Sequence, residues 1–220
     1  MAFRDRDEAG KLLAERLRGY AGERPIVVAL PRGGVAVGEP IARALGAPLE
    51  IFGVRKLGAP HDPELGVGAV AEDGTILFDT RLASLLSIPL PLLERAAVRE
   101  LVDLEQRLRR LRGGRPPLDV RGRTVILVDD GLATGVTAQA AVRALRDRAP
   151  RRLVIAVPVA APSTAEALAP RVDEVIALAL PPELRSIGSW YRDFRQLSDD
   201  EVAAALERAR TDEEPAQPQP

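Results

Sequence analysis

The stretch Thr124 to Leu145, TVILVDDGLATGVTAQAAVRAL, limits the possible folds more than any other part of the chain. Val125 to Val128 are apolar without interruption. A strand with one wet face alternates polar and apolar residues, so an unbroken run marks a strand covered on both faces, as in a parallel sheet between helix layers. Two carboxylates, Asp129 and Asp130, end the run, and a glycine-containing turn leads into apolar positions at helical spacing. The same order appears in PIVVALPRGG, with a strand over Ile26 to Leu30, a helix over Val35 to Leu45 and a second strand over Pro48 to Val54. Strand, turn, helix, strand is the βαβ unit of a parallel sheet. After Thr124–Val128 the pattern continues with a helix over Thr137 to Arg148, a strand over Leu153 to Pro158, a helix over Ser163 to Leu168 and a strand over Glu174 to Leu180. The fold class expected is α/β, a parallel sheet flanked by helices.

Between the two halves the alternation breaks. GVGAVAEDGTILFDT has two short apolar runs around Glu72-Asp73-Gly74, a hairpin pattern. Leu92 to Leu111 then carries apolar residues at Leu93, Ala97, Leu101, Leu104, Leu108 and Leu111, which makes a long amphipathic helix. Residues 66–117 therefore read as an insertion in a single domain spanning 1–210. Helices are expected at Asp5 to Arg18 and at Asp199 to Arg210, the second opening on acidic residues that suit a helix start. TDEEPAQPQP, residues 211–220, is polar and proline-rich and reads as a disordered tail.

With no cysteine, disulfides, zinc thiolate sites and thiol catalysis are excluded. A net charge of −1 makes no case for nucleic acid or a membrane surface as partner. The start lacks a secretory apolar segment, and no apolar run reaches the roughly 18 residues of a membrane span, so a cytoplasmic location is expected. Arg107 to Arg115, RLRRLRGGR, alternates with leucines and has no aromatics to stack bases, which reads as a solvated helix face.

In open α/β sheets ligands bind beyond the carboxyl ends of the strands, where Asp129 and Asp130 stand. Adjacent strand-end side chains point to opposite sides, which disfavours a shared-proton pair. They suit hydrogen bonds from neighbouring hydroxyls, as on a ribose ring, or a hydrated metal; two solvated carboxylates are the plainer alternative. Ala133 to Thr137, ATGVT, enters a helix whose exposed N–H groups and positive dipole end form an anion site, with the hydroxyls of Thr134 and Thr137 at its rim. Ribose hydroxyls on one side and phosphate on the other describe a ribose 5-phosphate. The Walker A loop is excluded by the missing lysine, and PRGGVAVG is not the G-x-G-x-x-G dinucleotide fingerprint.

VILVDDGLATGVT resembles the phosphoribosyl diphosphate (PRPP) motif of type I phosphoribosyltransferases, and ALPRGG and VRKLGAP follow the first two strands in the family's order. The resemblance covers roughly Ile26 to Leu180 and is greatest to small bacterial phosphoribosyltransferase-domain proteins of unassigned substrate. It implies a transferase that moves 5-phosphoribose from PRPP to a small-molecule acceptor, in nucleotide metabolism. Asp129 and Asp130 would take the ribose 2′- and 3′-hydroxyls. Ala133, Thr134, Gly135, Val136 and Thr137 would wrap the 5′-phosphate. Pro31, Arg32, Gly33 and Gly34 would hold the pyrophosphate, in a loop that in this family often carries a non-proline cis peptide. Arg55 and Lys56 would reach the pyrophosphate from the end of the second strand. The catalytic set implied is Arg32, Lys56, Asp129 and Asp130. Mg²⁺ would be held by PRPP and water rather than by a protein cluster.

The family also builds a hood over its acceptor from outside the sheet, here 181–210 with 1–20 as a further contribution. In SIGSWYRDF, Trp190 and Tyr191 either stack on a planar acceptor or pack the C-terminal segment onto the domain. Where 6-oxopurine phosphoribosyltransferases carry an aspartate beside the purine, this chain has Ala133, against a hypoxanthine or guanine acceptor. His61 and Glu64 lie in a loop that could close as a lid, although solvated side chains are the simpler reading. A leucine-rich helix over 92–111 fits a homodimer interface. The rival function is a PRPP- or nucleotide-binding regulator that keeps the fold without turnover.

Overall fold

The computed structural model describes residues 2–211, so the tail expected at 211–220 lies, beyond Thr211, outside the described residues. Five parallel strands form the main sheet: β1 (Ile26–Ala29), β2 (Leu49–Ile51), β6 (Thr124–Val128), β7 (Arg152–Val159) and β8 (Glu174–Ala179), in the order β2-β1-β6-β7-β8. All five residues of β6 are buried, as its uninterrupted apolar run requires. Successive residues of β1 face opposite layers. Val27 and Ala29 pack with α1 (Arg6–Leu17), α2 (Gly33–Leu45) and α7 (Asp199–Thr211), through residues such as Leu13, Ile41 and Leu206. Ile26 and Val28 pack with α5 (Val136–Asp147) and α6 (Pro162–Leu168). The two terminal helices thus belong to the main core. The part of the C-terminal region that stands apart is the segment around residues 186–195, where Phe3 N donates to Trp190 O (2.7 Å) and Arg192 N donates to Phe3 O (2.8 Å).

A second sheet is antiparallel, in the order β3 (Val54–Ala59), β4 (Asp62–Ala71), β5 (Ile76–Phe78). The hairpin expected around Glu72-Asp73-Gly74 is β4–β5, with Gly74 at φ 84°. The structure corrects the sequence reading at PLEIFGV, which is not one strand. Main-sheet pairing ends at Ile51, Phe52 N donates to Ala29 O (3.0 Å), and Gly53 N donates to the Glu72 carboxylate (2.9 Å). A Cβ on Gly53 would sit 2.3 Å from Leu108 Cδ1, so the turn packs closely against that leucine and a larger residue would push it aside. The added section consequently begins near Val54 rather than 66, and Arg55 and Lys56 belong to it. A short helix not anticipated, α3 (Thr80–Leu85), is capped by Asp79, whose carboxylate accepts from Leu82 N (2.8 Å).

The long helix is α4 (Leu90–Leu111). Leu93 packs with Ala59 and Val67, and Ala97 with Leu57 and Val70, under the small sheet. Leu104, Leu108 and Leu111 enter the core of the main sheet. One helix therefore fastens both sheets together. Its opposite side leaves Leu90, Leu92, Val98 and Val102 exposed, beside Leu85 and Leu86.

The arginine run is not uniformly solvated. Arg112 is 5% exposed and lies between two buried carboxylates, with Nε 3.0 Å from Glu50 and Nη2 2.9 Å from Glu72, and Nη2 also donates to Ile51 O (2.7 Å). Glu50 in turn accepts from Leu118 N (2.9 Å), and Arg148 approaches Glu72 at 3.4 Å. This cluster joins β2, the β4–β5 turn, the end of α4 and the end of α5. Removing one partner of a buried ion pair strands the other charge, at a cost of about 3–5 kcal/mol. Arg112→Ala is expected to lower stability by about that amount in urea melts, whereas exposed Arg109→Ala should change it by less than about 0.5 kcal/mol.

Candidate functional site

The chain leaves β1 through α2 on one face of the sheet and leaves β6 through α5 on the other, so the strand order reverses between β1 and β6. Such a switch point opens a crevice beyond the strand ends. Two loops meet there with almost no space between them. A Cβ on Gly33 would lie 1.9 Å from Asp130 Oδ2, and one on Gly34 would lie 2.6 Å from Val128 O. Neither glycine has positive φ. Close approach, rather than backbone freedom, is what requires them. The peptide between Pro31 and Arg32 is cis, in agreement with the geometry that the resemblance implied. Arg32 is half-buried at the start of α2 and its side chain does not cap the helix. Its guanidinium makes no hydrogen bond to the described residues, and its charge helps hold the Asp199 carboxyl below its usual range, after the larger effect of Arg107.

Asp129 and Asp130 are both half-buried at this crevice. Asp129 Oδ1 accepts from the backbone N–H of Asp130 (2.8 Å). Burial, reinforced by the neighbouring charge of Asp130, pushes the Asp129 carboxyl well above the ordinary carboxylate range. Burial also raises that of Asp130, and the guanidinium of Arg6 opposes the shift. Arg6 Nε and Nη2 each lie 2.8 Å from Asp130 Oδ2.

Next comes the helix entry. Gly135 begins α5 at φ 72°, a left-handed conformation that glycine adopts without strain, and a Cβ there would lie 2.4 Å from Thr164 Cγ2. No side chain caps this helix, so its first N–H groups remain open to a ligand at the positive end of the dipole. Thr134 is exposed and Thr137 half-exposed beside them, and Thr164 Oγ1 donates to Ala133 O (2.5 Å), anchoring the loop to α6. Strand-end carboxylates, an uncapped helix N-terminus and the Gly33–Gly34 loop therefore surround one crevice.

Comparison with known proteins agrees with this geometry. The phosphoribosyl transferase domain family matches residues 5–178. The chain belongs to that family. Over 210 residues it is 40% identical to proteins of Mycobacterium tuberculosis, strains CDC 1551 and H37Rv, provisionally named phosphoribosyl transferases. The alignment covers 96% of this chain and 47% of theirs, so the chain spans about half the length of these relatives. The solved structure of the protein TT1426 from Thermus thermophilus superposes with a TM-score of 0.79 at 43% identity, covering 94% of this chain and 99% of that one.

In the phosphoribosyl transferase domain described here, the remaining candidates divide. Lys56 lines a cleft of about 620 Å³ together with Thr134, Val136 and Gln139, so the small sheet brings it to the Ala133–Thr137 loop. A Cβ on Gly66 would meet the Lys56 stem at 2.1 Å, which makes Gly66 the groove along which that stem runs. Arg55 is not brought to the same place. As the neighbouring strand residue it faces α4, with Nε 3.5 Å from Glu100, and it pairs there instead of at the crevice.

Tyr191 is buried, its ring 5.5 Å from that of Phe3 and stacked on Phe194 at 5.0 Å, and its hydroxyl donates to Asp130 O (2.6 Å). It packs the C-terminal segment onto the domain and offers no face to an acceptor. Trp190 is half-buried with Phe3 and Ile187. His61 is exposed at the β3–β4 turn, and the side chain of Glu64 lies outside the described residues. Sequence reasoning missed Arg6, Gln139 and Thr164. Arg6 is an ordinary first-turn helix residue separated from Asp130 by 124 positions, and nothing local marks it.

The raised Asp129 carboxyl has a thermodynamic consequence. A carboxylate that holds its proton more tightly when folded than when unfolded costs stability above its folded pKa, and the cost fades as pH falls through that value. Asp129→Asn should therefore be more stable than the parent at pH 7, with the gain shrinking towards acidic pH. Melting curves across pH check this, and a variant less stable at neutral pH would refute the burial argument.

Proposed function

We propose that this domain binds PRPP with Mg²⁺ and transfers its 5-phosphoribose to a small nitrogenous acceptor, releasing pyrophosphate. The observation that carries the reading is the uncapped N-terminus of α5, entered through Gly135, directly after the Asp129–Asp130 strand end and against the Gly33–Gly34 loop. The 5′-phosphate suits the helix entry, with Ala133 to Thr137 around it. The carboxylates of Asp129 and Asp130 suit the ribose hydroxyls. The pyrophosphate suits the start of α2, where Arg32 has no hydrogen-bonded partner among the described residues, and Lys56 lies across the cleft from Thr134.

In the reaction the bond from C1 to the pyrophosphate oxygen breaks, a bond from C1 to the acceptor nitrogen forms, and that nitrogen loses a proton. Positive charge grows on the ribose ring and negative charge on the departing group, so fixed charges and N–H groups near each do most of the work. Among the described residues no three acidic or histidine side chains converge on a metal position. Mg²⁺ would arrive on the diphosphate, held by its oxygens and water, and supply neutralisation of the leaving group. Ala133 beside the crevice argues for an acceptor other than hypoxanthine or guanine.

Calorimetric titration with PRPP, with and without Mg²⁺, tests the reading. Metal-dependent binding is expected, and its absence under both conditions would sink it. Asn at both 129 and 130 should weaken PRPP binding in a protein that stays folded. Arg32→Ala should slow pyrophosphate release more than it weakens ribose 5-phosphate binding. PRPP binding with no pyrophosphate release across a panel of bases and amines would favour a regulator.

The proposed homodimer forms through α4. Pro91, Arg95, Val98, Val102, Glu105 and Arg109 are all exposed and recur at alternating spacings of four and three, one stripe of a helix. Antiparallel pairing of two copies about position 100 sets Val98 against Val102 and Arg95 against Glu105. Arg95→Glu should weaken the dimer in sedimentation equilibrium, and adding Glu105→Arg should restore it. A wild-type protein that stays monomeric at all concentrations would remove this surface.

A further inference from the structure

We infer that Arg6 is a positioning residue for ribose, acting through Asp130. The inference rests on the PRPP reading above. Arg6 is only 9% exposed, and all its visible contacts serve one arrangement. Nε and Nη2 converge on Asp130 Oδ2 at 2.8 Å each. Nη1 donates to Arg195 O (3.0 Å), and the guanidinium lies 3.9 Å from the centre of the Phe194 ring and 5.8 Å from that of Tyr191. Tyr191 in turn donates its hydroxyl to the backbone carbonyl of Asp130 (2.6 Å). The carboxylate and backbone of Asp130 are therefore held from one side by α1 and the C-terminal segment together.

On the other side stands Gly33. Its missing Cβ would fall 1.9 Å from Oδ2 and 3.1 Å from Arg6 Nε, so Oδ2 is enclosed between the pyrophosphate-side loop and the guanidinium. Oδ1 accepts no hydrogen bond from another described residue. The two oxygens thus have separate duties. Oδ2 is committed to Arg6, and Oδ1 is the one oxygen of Asp130 left for a ribose hydroxyl. Arg6 fixes the carboxylate's rotation, and its charge opposes the rise in pKa that burial causes. A carboxylate that rotated freely would divide its time between orientations, and only some would meet the hydroxyl.

The structural role of Arg6 and its role towards ribose separate by choice of ligand. Ribose 5-phosphate and PRPP contact Asp130, whereas inorganic pyrophosphate reaches only the anion sites. Arg6→Gln should weaken PRPP and ribose 5-phosphate binding about ten- to a hundredfold, the usual effect of losing hydrogen bonds to a charged group, and leave pyrophosphate binding as it was. In a double-mutant cycle, Arg6→Gln made on top of Asp130→Asn should weaken PRPP binding no further. Arg6→Lys keeps the charge without the planar two-nitrogen fork and should recover part of the loss; it carries the same cycle if the neutral variant does not fold. Equal losses for pyrophosphate and PRPP, or losses that multiply in the cycle, would overturn the inference while leaving the PRPP site in place. Failure of the wild-type protein to bind PRPP at all would overturn the phosphoribosyl reading and this inference with it.

Discussion

The close approach of two backbones at the ends of β1 and β6 is the constraint from which the site follows. Gly34 lies against the carbonyl of Val128, and Gly33 against the carboxylate of Asp130. Parallel strands a hydrogen-bonded spacing apart bring their following turns this close only where one of them carries no side chain, which here is the Gly33–Gly34 turn. That contact puts the start of α2 and the start of α5, two positive helix ends on opposite faces of the sheet, around a single crevice. It also forces two carboxylates into a partly dry place. Burial raises the pKa of both carboxyls, which costs stability wherever they are ionised.

The second sheet is held differently. It shares no backbone pairing with the main sheet. Its attachment comes from α4, which packs under both, and from the buried charges of Arg112, Glu50 and Glu72. Hydrophobic packing along α4 supplies area without strong direction, and the ion pairs add specific distances. Together they set where the β3–β4 hairpin stands, and hence the position of Lys56 in the cleft beside Thr134 and Gln139. A residue in the site is thereby supported by contacts on the far side of its own strand.

Much of this was legible in the residues. The buried run Val125 to Val128, the acidic strand end and the Gly135 turn are local features with local physical causes, and they survive unchanged in the structure. The hairpin at Gly74 and the stripe of α4 were legible for the same reason. Reading failed where two elements share one apolar run, as at PLEIFGV, because main-sheet pairing ends at Ile51 and Gly53 N turns to the Glu72 carboxylate, a partner from elsewhere in the chain. It did not separate Arg55 from Lys56, which look alike in sequence but face opposite sides of β3, Lys56 towards the cleft and Arg55 towards Glu100. Tyr191 shows the limit for aromatic residues. Stacking on a ligand and packing in a core need the same ring, and only its neighbours Phe3 and Phe194 decide between them.

By itself the sequence determined the α/β class, the parallel core strands and the glycine turn into α5, since each depends on residue order over a few positions and on burial that periodicity reports. The tertiary structure alone decided the strand order, the turning of Arg55 away from the crevice, the burial of Arg112 and the seating of Arg6 on Asp130. Those outcomes join residues distant along the chain, and their energies come from desolvation and distance. Neither quantity exists until the chain has folded.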